Sequence, residues 1–183
     1  MVLLIAGLIL WVSAHLLKRL APGLRAQLGD AGKAVLGVVL LISLVMIIVG
    51  YRGQDAAPQI WSPPAFLTGI NNLLMVLAVY LYAASGMKTR ITRTIRHPQL
   101  TAVKAWAVAH LLVNGDLASI ILFGTMLVWA VLEVILINRA ARTWVRPDLA
   151  PMGKEIGAAV GTVIVVGLIA AIHTWLGYWP FGG

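Results

Sequence analysis

Apolar residues fall along this chain in long blocks broken by short polar stretches. Five blocks, Val2–Leu17, Ala34–Gly50, Ala65–Ser85, Leu117–Ile137 and Gly157–Trp179, meet or approach the length needed to cross a bilayer, which is roughly 17–25 residues of helix. A sixth, Gln99–Val113, is shorter and contains Lys104. Pro98 suits the first position of its helix, because a first-turn N–H has no intrahelical partner to lose. Asn114-Gly115-Asp116 supplies the turn that follows. The pattern predicts an all-α polytopic bundle of about six transmembrane helices forming one domain over residues 1–183.

Charge placement supports the sixth span. Lys18, Arg19, Arg25 and Lys33 occupy loop 18–33; Lys88, Arg90, Arg93 and Arg96 occupy 86–98; Arg139, Arg142, Arg146 and Lys154 occupy 138–156. The alternate loop 51–64 has only Arg52, and the 114–116 turn and 180–183 tail have no cation. With six spans the three basic loops share one side, expected to be the cytoplasm, and both termini lie outside. Without Gln99–Val113 one basic loop would change sides. The first block lacks a basic segment before it and carries Lys18 and Arg19 after it, which argues for a retained span rather than a signal peptide. Trp61, Trp175, Tyr178 and Trp179 suit the outer interface.

Composition agrees. The chain is 61% hydrophobic and 11% charged, with a mean hydropathy of +0.94, against about 25% charged residues in soluble domains. The formal charge of +8 lies between apolar runs and carries no nucleic-acid-binding motif. With no cysteine, disulfides, thiolate metal sites and cysteine nucleophiles are excluded; a metal would need His or carboxylate ligands.

Ionisable groups inside a bilayer are costly and are functional candidates. Here they are His15, His110, His173, Lys104 and Glu133, with His97 at a helix mouth and amides at Asn71 and Asn72. Lys104 and Glu133 should lie at similar depth, as a structural ion pair or as a proton or substrate site. Arg90, Arg93 and Arg96 would share a face if helical, for anchoring or for lipid phosphates or ligand carboxylates. Span 1 and span 4 both read W-x-x-A-H-L-L, at Trp11–Leu17 and Trp106–Leu112. This sets Trp and His one turn apart on one face, and offers His15 and His110 as a ligand pair for haem iron inside a bundle. By depth the two are offset by roughly 12 Å along the membrane normal, so His110 pairs better with His173, and His15 with His97.

Arg96-His97-Pro98-Gln99-Leu100, Ala109-His110, Asn114-Gly115-Asp116 and Asn138-Arg139-Ala140-Ala141-Arg142, in that order, resemble the NnrU family of bacterial membrane proteins over essentially the whole chain. That resemblance implies the bacterial cytoplasmic membrane and an association with denitrification and nitric-oxide metabolism. It extends to the plastid 15-cis-zeta-carotene isomerase, a haem b enzyme, whose histidine motifs match His15 and His110. It thus implies haem b on that pair, with Arg96 and His97 also in cofactor binding, and isomerase-like or redox chemistry. A lipid-soluble or small gaseous ligand would follow. The wider resemblance to isoprenylcysteine carboxyl methyltransferases, through R-H-P, implies S-adenosylmethionine near Arg96 and His97, but their paired glutamates are reduced here to Glu133. A transporter or accessory factor using Glu133, Lys104, Asn71 and Asn72 is the remaining alternative. No particular catalytic residue is indicated.

Overall fold

A computed structural model describes residues 1–181. It contains α1 (Val2–Leu20), α2 (Pro22–Gln27), α3 (Gly32–Arg52), α4 (Leu67–Met87), α5 (Pro98–Val113), α6 (Leu117–Ala140) and α7 (Met152–Trp175). A 3₁₀ turn at Arg90–Arg93 precedes α5. Helices α1, α3, α4, α6 and α7 are long and apolar enough to cross a membrane. α5 has 16 residues, about 24 Å at 1.5 Å per residue, yet it traverses the same bundle. Its start is tied to the end of α6 by a 2.8 Å hydrogen bond between His97 Nε2 and Asn138 Oδ1, and its end turns directly into the start of α6. The chain is therefore a polytopic helical membrane bundle, the form that satisfies backbone hydrogen bonds where no water is present.

The local signals explain the boundaries. Pro98 opens α5, and Asp116 caps α6 by accepting from Ser119 N at 2.8 Å, satisfying one of the free N–H groups of a first turn. α4 stops at Lys88, which takes a left-handed conformation with φ 55°.

The elements sort to two ends. At one, called here the terminal end, Met1, the 53–66 loop, the 114–116 turn and Phe181 come together. Asn72 Nδ2 donates to the Phe181 carbonyl at 3.3 Å, and Ile60 N donates to the Gly115 carbonyl at 2.8 Å. At the other, the basic end, Arg90 N donates to Glu155 and Arg96 donates to the Ala141 carbonyl. All three basic loops lie at this end. The Arg90, Arg93 and Arg96 stripe expected of a helix is not formed. Only Arg90–Arg93 winds, as a 3₁₀ turn, and Arg96 turns away to carbonyls of the 141–143 segment, because the chain must straighten before Pro98.

α1 pairs with α3, α4 with α5 and α7, and α6 packs on α5 and more lightly on α1. The buried core lies among α1, α3, α5 and α6, around Leu4, Leu8, Ile47, Phe123, Met126 and Trp129. Gly50 sets the α1–α3 spacing, since a Cβ there would overlap the Leu4 backbone; small residues let membrane helices approach this closely. Gly115 does the same for the 53–66 loop, whose Trp61 carbonyl occupies the place of a Cβ.

Two substitutions check this packing. Gly50→Leu is expected to part α1 from α3 and cost about 1–3 kcal/mol. Gly115→Val is expected to displace the loop from the α5–α6 turn. Both should lower the midpoint of thermal unfolding in detergent, while Gly69→Leu, where a Cβ meets open space, should leave it nearly unchanged.

Candidate functional site

Helices α3 to α7 enclose a cavity of about 1010 Å³ that also reaches Trp11 of α1. Its polar lining is concentrated toward the terminal end: Tyr51 and Arg52 at the close of α3, Asn71 and Asn72 one turn into α4, His110 in the last turn of α5, and His173 in the last turn of α7. Asn114 and Asp116 lie beside them in the turn. Farther from that end the wall is apolar, with Val79, Trp106, Met126 and Val166. The arrangement matches the usual ligand site, concave and largely apolar with a few placed polar groups.

The terminal-end wall is held by a hydrogen-bonded chain. Ser119, fully buried, donates its hydroxyl to Asp116 Oδ2 at 2.5 Å. The Tyr51 hydroxyl then has Ser119 Oγ as its acceptor at 2.8 Å. The ring of Tyr51 also meets the ring of Phe123, 6.2 Å between centroids. These contacts tie α3 to α6, which otherwise touch only lightly.

The three intramembrane histidines differ in their hydrogen bonding. His15 Nδ1 donates to the Trp11 carbonyl at 2.9 Å, and His173 Nδ1 donates to the Ile169 carbonyl at 2.8 Å. Each bond fixes a tautomer with the free lone pair on Nε2, the orientation that metal-binding histidines adopt. His110 differs: its Nδ1 is buried and makes no hydrogen bond of good geometry, the Trp106 carbonyl one turn back being only a marginal partner.

His15 and His110 do not share the cavity. The His15 ring packs between Trp11, at 4.4 Å, and Trp129, at 4.6 Å. The His110 ring packs on Phe123, at 4.4 Å. Phe123 and Trp129 are six residues apart on α6, about 9 Å along its axis. The W-x-x-A-H-L-L echo thus puts each histidine against an α6 aromatic, but at different heights, because α1 and α5 run in opposite directions. His110 and His173 are brought together, both on the cavity wall. Arg96 and His97, expected beside a cofactor, are at the basic end, where His97 bonds Asn138. His97 is not beside His15.

The expected Lys104–Glu133 pair is not present. Glu133, 7% exposed, faces Arg19 of α1, with Nε to Oε2 at 3.7 Å. The i, i+4 steps His15–Arg19 and Trp129–Glu133 lie face to face, so the helix that packs across α6 at this height supplies the cation. Neither Lys104 nor Glu133 lines the cavity. Sequence reading passed over Tyr51, Arg52, Asn114 and Asp116 as members of a site; the isolation of Arg52 in an otherwise cation-free loop was the available signal.

A polytopic helical membrane protein with a histidine-bearing cavity near one face is the class that fold and site define. The chain matches the family model described as NnrU protein over residues 3–180, and it belongs to the NnrU family. No curated protein and no solved structure matches it.

Arg19→Ala is expected to destabilise by about 1–2 kcal/mol, below the 3–5 kcal/mol of a fully enclosed pair because Arg19 is partly exposed. Arg19→Ala with Glu133→Gln should recover much of the loss in detergent unfolding. A loss in the double variant equal to the sum of the Arg19→Ala and Glu133→Gln losses would show that the pair does not couple.

Proposed function

We propose that this protein lies in the bacterial cytoplasmic membrane with its basic end in the cytoplasm, and holds haem b in the cavity of its outer half. His110 and His173 are the residues that would ligate the iron, and nitrogen-oxide metabolism is the process served. The observation that carries this reading is that two imidazoles, His110 and His173, share one cavity wall, with the buried Nδ1 of His110 lacking a hydrogen bond of good geometry. A buried polar atom without a partner costs free energy. A ligand bound at Nδ1 itself would offset that cost.

The residues present fit such a group. His173 is held with Nε2 free by its bond to Ile169, Trp106 and Phe123 offer flat apolar walls, and Arg52 places a guanidinium at the mouth, suited to a carboxylate. The propionate partners expected among Arg90, Arg93 and Arg96 lie at the opposite end, so Arg52 takes that role. When bound, haem would supply an iron whose reactivity depends on axial ligation and on the polarity of its surroundings. The chain's contribution is to orient the imidazoles, exclude bulk water with the apolar lower wall, and keep the terminal-end wall closed through Tyr51, Ser119 and Asp116. Membership of the NnrU family supports the nitrogen-oxide assignment, and the concentration of Lys and Arg at one end supports the orientation.

Absorption spectra of detergent-solubilised protein, oxidised and reduced, provide the test. A Soret band is expected, abolished or strongly weakened in His110→Ala, shifted or weakened in His173→Ala, and kept in His15→Ala. A band lost in His15→Ala and His110→Ala but kept in His173→Ala would return the site to the other pair. Colourless protein from haem-replete cells would overturn the reading.

A further inference from the structure

Among the described residues, five buried side-chain polar atoms lack a hydrogen-bond partner: Trp11 Nε1, Asn71 Oδ1, Thr89 Oγ1, His110 Nδ1 and Trp129 Nε1. Trp11, Asn71 and His110 line the same cavity. Buried polar atoms are normally satisfied, so such a concentration marks a place where something else supplies the missing groups.

Asn71 states what its missing group must be. The Phe181 carbonyl can only accept, so Asn72 turns its Nδ2 toward it. That leaves Asn72 Oδ1 facing Asn71, which must answer with its own Nδ2 at 3.1 Å. Both amides are thereby oriented by their partners, and Asn71 presents Oδ1 as a bare acceptor. Asn71 is only 6% exposed, and it sits one turn into α4 on the cavity wall. A molecule that satisfies it must bring an O–H or N–H.

The route to that acceptor is lateral. Leu44 and Ile48 of α3 and Val76 of α4 line the cavity and are also 41%, 49% and 45% exposed. α3 packs on α1 and touches α6, with no substantial packing on α4 or α7. The cavity therefore opens between α3 and α4 toward the lipid, with apolar residues on both sides of the opening and polar ones beneath the terminal-end surface.

We propose that the cavity admits from the bilayer an amphiphile with a long apolar body and a hydroxyl head, the hydroxyl donating to Asn71 Oδ1. The body lies along Leu44, Ile48, Val76 and Val79. The head stands at the depth of His110 and His173, and so within reach of whatever those residues hold. This assignment rests on the same cavity as the haem reading but on a different side chain.

The test uses full-length protein in lipid nanodiscs and two probes, a long-chain alcohol carrying a photoactivatable diazirine and its methyl ether, which lacks the donor. Saturable labelling of cavity-wall peptides of α3 and α4 is expected, with the alcohol favoured at least about fivefold. Asn71→Leu should reduce the alcohol to the level of the ether. Asn72→Leu, which frees the Asn71 amide to turn over, should erode the preference while labelling continues. The size-exclusion profile should be unchanged in both variants. Equal labelling by the two probes, a preference that survives Asn71→Leu, or no labelling of the cavity wall would overturn the proposal, the last two assigning Asn71 to water or to structure alone. Haem-free protein that still favours the alcohol would sink the haem reading and leave this one standing; haem-bearing protein without the preference would do the reverse.

Discussion

Hydrocarbon offers no hydrogen-bond partner, and this constraint orders the rest of the molecule. Each backbone group within the bilayer is satisfied inside its own helix, and most buried polar side chains find a partner within their own helix or its turn. Ser43 donates to Leu40, Thr162 to Ala158, His15 to Trp11 and His173 to Ile169. Against that background the atoms left without partners are informative. Three of the five, on Trp11, Asn71 and His110, belong to residues that line the large cavity.

Helix α6 serves two different environments along its length. Near the terminal end, its cap Asp116 and first-turn Ser119 hold Tyr51 and so the α1–α3 pair, and Phe123 supports His110. Toward the basic end, Trp129 receives His15 and Glu133 receives Arg19. An isolated charge at this depth would be expensive, so Glu133 and Arg19 are best read as a lock between α1 and α6. His15 packs its ring between two tryptophans beside that lock, with its Nδ1 bonded to Trp11.

The loops do more than connect. The 53–66 segment lays Pro58 to Trp61 across the α5–α6 turn, with an antiparallel bridge between Gln59 and Asp116, and Ala57 and Gln59 contribute to the cavity wall. Its Gln54, Asp55, Gln59 and Ser62, with no cation, suit a surface facing water above a site whose deeper wall is apolar. The basic loops, at the opposite end, donate to a carbonyl through the Arg96 guanidinium and to Glu155 through the Arg90 backbone N–H, and stand clear of the cavity.

Apolar block length and the alternation of basic with uncharged loops were enough to determine a six-pass helical bundle, including the short α5, because hydrophobicity and charge act locally on each segment. The motif series likewise carried family membership, and the rarity of ionisable residues in the spans singled out His15, His110, His173 and Glu133. Which of these meet was decided only by tertiary packing. His15 and His110 read alike in sequence, yet opposite helix directions set them against α6 about 9 Å apart, whereas His173, some sixty residues beyond His110, arrives on its wall because α7 packs back on α4. Glu133 met Arg19 rather than Lys104 for the same reason. Partner choice across helices depends on crossing, height and facing direction, none of which a linear pattern of apolar and polar residues encodes.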